Sequence, residues 1–177
     1  MKKAIILHAW YEKTDMDWYP WLKTELEKKG YTVFLPELPT MSTDSPDLNT
    51  LMQFIESLTD IDSETVIIGH SLGALLALRL AEKHTFAKLF SVAGWDYNDL
   101  TVEHQSFWPN MIDHAAIKSH VKEIYCIESD NDFVLTAFMA EEMCKRFAGK
   151  FILVKGAGHF TTKDDSITQV PELLNFI

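Results

Sequence analysis

A chain of 177 residues with 47% hydrophobic content is sized for one domain with its own core, and a formal net charge of −10 argues against nucleic acid as a partner, because phosphate binding needs clustered Lys and Arg. The two cysteines, Cys126 and Cys144, have no CxxC spacing; they offer no zinc site and read as reduced core thiols. No apolar run is long enough to span a membrane, and the one after Lys2-Lys3 is too short for a secretory leader, so the cytoplasm is the expected location and a membrane is not an expected partner.

The first apolar run, 3–8, predicts a strand, with Ala9 and Trp10 in the loop that follows. Residues 18–29 read as a helix stopped by Gly30, and 32–35 as a second strand. Three prolines among Ser and Thr make 36–46 a loop, after which Asp47 stands ahead of a helix over 48–58. A β-branched strand over 65–69 then meets Gly69-His70-Ser71-Leu72-Gly73 and an almost wholly apolar, helix-forming stretch to 83. A strand over 88–93 follows. Residues 95–109 are aromatic and polar without a period, and they start a short cap-like segment, about 95–115, expected to lie over the carboxyl edge of the sheet. Strands over 123–128 and 151–154 flank a helix over 136–147 that Gly149 ends, and Pro171 opens a last short helix to 176. This alternation predicts an α/β fold over 1–177: a three-layer α/β/α sandwich around a mostly or wholly parallel sheet of about six strands.

The chemistry starts at the glycine-flanked serine. A strand that turns abruptly into a helix holds such a serine in a strained conformation, with glycines where a side chain would collide with its neighbours. The bland reading is a tight turn in which Ser71 merely caps the helix. An elbow serine needs a base, itself oriented by a carboxylate, and in such folds the order is Ser, Asp, His on successive later loops. Ser129-Asp130-Asn131-Asp132 and Gly156-Ala157-Gly158-His159-Phe160 supply that order. Asp132 is preferred over Asp130 as the acid. Among seven histidines only His159 follows a strand after the acid; His70, His84, His104, His114 and His120 read as surface or structural. The oxyanion of a tetrahedral intermediate would meet the backbone N–H of Leu72 and, from the loop after the first strand, that of Trp10 in preference to Ala9. Trp10, Trp95 and Trp108, with Tyr97, are candidates for the pocket wall.

These motifs, together with Ile6-Leu7-His8 and Val92-Ala93-Gly94, resemble the α/β-hydrolase superfamily over nearly the whole chain, and within it the small serine hydrolases of the retinoblastoma-binding protein nine and YdeN type. The resemblance implies a minimal α/β-hydrolase fold with a Ser71, Asp132, His159 triad. The short cap candidate predicts a fairly open, aromatic pocket, and with these residues the expected function is hydrolysis of a small ester, thioester or amide through an acyl-enzyme on Ser71. This chain has Ala9 where the family commonly has glycine. An exposed Leu-x-Cys-x-Glu would suit retinoblastoma association, but the nearest stretch, Ile124-Tyr125-Cys126-Ile127-Glu128, falls in a predicted strand and reads as core. No cofactor or metal is expected: Gly156-Ala157-Gly158 lacks the third glycine of a dinucleotide fingerprint, and Asp130 and Asp132 lack the rest of a calcium loop. The expected partner is a small-molecule substrate, and the expected state a monomer or weak homo-oligomer. The alternative is a non-catalytic ligand- or protein-binding member of the same fold, using the aromatic mouth alone.

Overall fold

The computed structural model describes residues 2–177. Six strands, β1 (Lys3–Leu7), β2 (Thr32–Phe34), β3 (Thr65–His70), β4 (Phe86–Val92), β5 (Val121–Ser129) and β6 (Lys150–Val154), make one sheet in the order β2-β1-β3-β4-β5-β6. Every pairing is parallel. Successive side chains point to opposite faces, so each strand feeds two cores. Ala4, Ile6, Ile68, Phe90 and Ile127 pack beneath α1 (Tyr19–Lys28) and the C-terminal stretch, which ends in a 3-10 turn, Pro171–Asn175. Ile5, Leu7, Ile67, Leu89 and Ile124 pack beneath α2 (Leu48–Leu58), α3 (Leu72–Ala81), α4 (His114–His120) and α5 (Ala137–Arg146). This is the three-layer sandwich with a wholly parallel sheet.

Where local signals were strong, the elements stand where the pattern put them. Helix α2 has the expected bounds because Asp47 accepts the Thr50 amide at 2.8 Å, while Leu48, Leu51, Met52 and Ile55 form one buried stripe. Strands β4 and β5 each begin two residues earlier than predicted. Helix α4 lies where no element was predicted, between the end of the cap-like segment and the strand expected from 123. It has seven residues and buries only Ile117, so it carries no stripe, and its start is fixed by Asp113 accepting the Ala115 and Ala116 amides. The four-residue α6 (Thr162–Asp165) was likewise too short to show a period. Cys126 and Cys144 are buried and unbridged.

The strand order places the site. From β1 the chain goes to one neighbour, β2, and then returns to the other side for β3, so the loops leaving β1 and β3 diverge. A crevice at the carboxyl ends of those two strands is where open parallel sheets bind ligands.

Candidate active site

At the end of β3 the chain passes through Ser71 at φ 52, ψ −118 before α3 begins. This turn is available only because its neighbours are glycines. A Cβ on Gly69 would stand 2.3 Å from the Gly73 carbonyl oxygen, and one on Gly73 would stand 2.3 Å from that of Leu7. Both contacts are backbone and cannot yield. The Ser71 amide donates to the Val92 carbonyl at 2.9 Å, tying the turn to β4. Ser71 occupies the N-cap position of α3, yet its side chain makes no capping bond. Its hydroxyl lies 2.9 Å from His159 Nε2.

His159 Nδ1 in turn lies 2.7 Å from Asp132 Oδ2. A carboxylate can only accept, so Nδ1 carries the proton and Nε2 is free to accept from the serine. The Asp132 side chain is fully buried. Burial alone would raise its carboxyl, but the His159 ring and the Val134 and Leu135 amides, at 2.6 and 3.2 Å, hold it below the ordinary aspartate range.

Asp130 has a different job. Its Oδ1 accepts the Gly156 amide at 2.8 Å, Ser129 Oγ accepts the Ala157 amide at 2.9 Å, and Asn131 Oδ1 accepts the Gly158 amide at 2.9 Å. Three consecutive side chains at the end of β5 thus hold three consecutive amides after β6, fixing the register in which Asp132 meets His159. Beyond His159, Asp165 Oδ2 accepts the amides of His159 and Thr161, at 2.9 and 3.3 Å, together with the Thr161 hydroxyl. Asp17 reaches from ahead of α1 to accept the Thr162 amide at 2.6 Å. Nothing in the sequence pattern singles out Asp165 or Asp17, since their partners are backbone groups brought near by the fold.

His70 is structural, as expected, and its ring joins two loops. The Ala9 amide donates to the Tyr19 hydroxyl at 3.1 Å, that hydroxyl lies 2.6 Å from His70 Nδ1, and His70 Nε2 lies 2.8 Å from the His159 carbonyl oxygen. Complete burial pushes His70 down to about 3, so it is neutral and donates from one nitrogen only. With the Ala9 amide committed to Tyr19, the Trp10 amide is the candidate oxyanion donor of this loop, beside that of Leu72 at the start of α3. The Trp10 indole is pinned to the Thr43 carbonyl at 2.9 Å. His8, two residues before Trp10, is buried, which lowers its pKa, and its Nε2 accepts the Leu38 amide at 3.0 Å.

A cavity of about 410 Å³ opens over Ser71, Leu72 and His159. Trp10, Trp95, Tyr97 and Phe133 wall it. Trp108 does not: its ring lies over the Arg79 guanidinium and lines a separate crevice with Met111 and Ile112, because the 3-10 turn Val102–Phe107 carries the chain away from the site before it. In its place stands His104, whose Nδ1 lies 3.0 Å from Asp99 and whose ring meets that of Trp10 edge-on. Glu12, Asp99 and Asp164 also line the cavity. Burial, then the neighbouring Asp17, pushes Glu12 up to about 7.

The family model described as "Serine hydrolase" matches residues 4–176. The chain belongs to the serine hydrolase family. It is 27% identical to the serine hydrolase RBBP9 of Rattus norvegicus over 150 residues, covering 81% of this chain and 77% of that protein. It is 24% identical to the hydrolase YdeN of Bacillus subtilis (strain 168), covering 96% and 91%. The crystal structure of the B. subtilis ydeN gene product superposes with a TM-score of 0.84 over 99% of this chain and 96% of the other, at 22% identity. Est1E from Butyrivibrio proteoclasticus, in a structure with ferulic acid bound, has the same fold at a TM-score of 0.75 and 11% identity, over 94% and 84%. The α/β-hydrolase architecture is thus shared well beyond sequence resemblance.

Proposed function

We propose that this protein hydrolyses a small ester, thioester or amide through an acyl-enzyme on Ser71. The observation that carries the reading is the unbroken line from Ser71 Oγ to His159 Nε2 and from His159 Nδ1 to Asp132, at 2.9 and 2.7 Å. Ser71 attacks the substrate carbonyl as His159 takes its proton, and Asp132 stabilises the imidazolium while holding the ring in the productive tautomer. The Leu72 and Trp10 amides receive the oxyanion. His159 then returns the proton to the leaving alcohol, thiol or amine. A water, deprotonated by His159 in the second half, releases the acid and restores Ser71.

The aromatic wall favours an apolar or aromatic acyl group, and Glu12, Asp99 and Asp164 disfavour substrates that carry a free carboxylate. The test is covalent labelling with an alkyl fluorophosphonate. Wild-type protein should be modified at Ser71 and Ser71→Ala should not; a wild-type chain that resists labelling would return the molecule to the non-catalytic binding reading. A panel of chromogenic acyl and aminoacyl substrates then separates esterase, thioesterase and amidase.

A further inference from the structure

The stretch Ile124-Tyr125-Cys126-Ile127-Glu128 is core, as expected, but it brings a carboxyl into that core. Glu128 is 0% exposed. Its Oε1 accepts the Ser129 amide at 2.8 Å, whereas Oε2 is sealed from solvent and meets no donor. What the side chain meets instead is the carboxyl of Asp132, also fully buried. Two carboxylates in contact in a buried site do not both ionise. The choice between them is set by their other partners. Asp132 has the His159 ring N–H and two amides; Glu128 has one amide. The proton therefore belongs on Glu128, which explains why Oε2 finds no donor: it is itself one.

We propose that Glu128 is a positioning residue, a neutral carboxylic acid whose Oε2–H donates to the Asp132 carboxylate and keeps a single negative charge beneath His159. The proposal rests on the triad reading for its catalytic consequence, though not for its chemistry. With Glu128 ionised, two like charges would force the carboxylates apart and draw Asp132 away from His159 Nδ1. Burial, then the charge of Asp132, pushes Glu128 up to about 9, so at neutral pH it keeps its proton. The other titratable groups nearby do not supply a competing charge. His70 at the end of β3 is held neutral by burial, and Asp96 after β4 is matched by Arg146 of α5 at 2.6 and 2.7 Å and by His114 of α4 at 2.7 Å. Cys126, two residues back on β5, is a buried thiol kept protonated beside Cys144.

Two variants and three readouts test this on the whole 177-residue chain. Infrared difference spectra of wild type against Glu128→Gln at pH 7 should contain the C=O band of a protonated carboxyl, and in wild type that band should titrate away near pH 9. Glu128→Gln keeps an oxygen for the Ser129 amide and an N–H for Asp132, so fluorophosphonate labelling should recover to within about threefold of wild type, whereas Glu128→Leu, similar in volume but without a donor, should label about tenfold more slowly. The low-field proton resonance of His159 Nδ1–H should move in Glu128→Leu and stay near its wild-type position in Glu128→Gln. Absence of the protonated-carboxyl band at pH 7 overturns the proposal whether or not Ser71 can be labelled, and so does a folded Glu128→Leu that labels at the wild-type rate. Failure of wild type to label, with the band present, instead overturns the hydrolase reading.

Discussion

Two kinds of loop meet at the carboxyl edge of the sheet. The turns after β5 and β6 are joined amide by amide, through Ser129, Asp130 and Asn131, and then braced by Asp165 and Asp17. Residues 95–113 are held at scattered points instead. Buried Arg79 on α3 donates to the carbonyls of Phe107 and Asn110, Asp96 grips Arg146, and Ser106 donates to the Pro46 carbonyl. Between those anchors Leu100 and Val102 are 77% and 81% exposed. The contrast matches what each half must do. The proton relay proposed above would tolerate only errors well under an ångström, and its loops are fixed through the backbone. A pocket wall needs shape, which a few side-chain anchors supply while its surface stays free to differ.

Substitutions among the tightly tied loops should have the largest effect. Asp132→Asn should lower fluorophosphonate labelling about ten-thousandfold, because the amide can present the wrong hydrogen-bonding group to His159, with thermal unfolding little changed. Asp130→Asn keeps an oxygen for the Gly156 amide and should lose only a few-fold; if the two effects are reversed in the same assay, Asp130 is the acid. Next comes the bracing. Asp165→Ala leaves the amides of His159 and Thr161 without their acceptor and should slow labelling by about a hundredfold through displacement of the imidazole, with unchanged binding of a reversible inhibitor.

The third effect is on stability. Glu128 has its folded pKa raised, from 4.5 to about 9, so between those values the folded chain binds a proton that the unfolded chain does not. Stability therefore falls as pH rises across that window. Glu128→Gln escapes the penalty and should gain on the order of 3 kcal/mol at pH 7, with the gain vanishing below about pH 4, as read from urea unfolding at several pH values. The smallest effect belongs to the other half of the site. Leu100→Ser should change unfolding free energy by less than about 0.5 kcal/mol and leave labelling of Ser71 intact. A large loss of labelling there would mean that residues 95–113 share in the chemistry.

Much of this division was legible before any coordinates. Strand, elbow and helix around Ser71 are written in adjacent residues, and Asp132 and His159 each follow a short apolar run between helical patterns. Residues whose role depends on a backbone partner far along the chain left no such trace. Asp165 braces His159 from a helix of four residues, and Asp17 holds the Thr162 amide across 145 positions. Glu128 was visible as an acid closing an apolar strand, but only its contact with Asp132 gives that oddity a meaning. Trp108 and His104 changed places as wall residues because a 3-10 turn has no hydrophobic period to betray which way its side chains face.

Ser71 sits at a positive φ that a residue with a Cβ adopts at a cost of about 1–3 kcal/mol. Glycine would sit there without that cost, and without the hydroxyl. A library of this chain screened only for survival on heating would drift toward glycine at position 71, and under the proposed mechanism its hardiest members would be its inert ones.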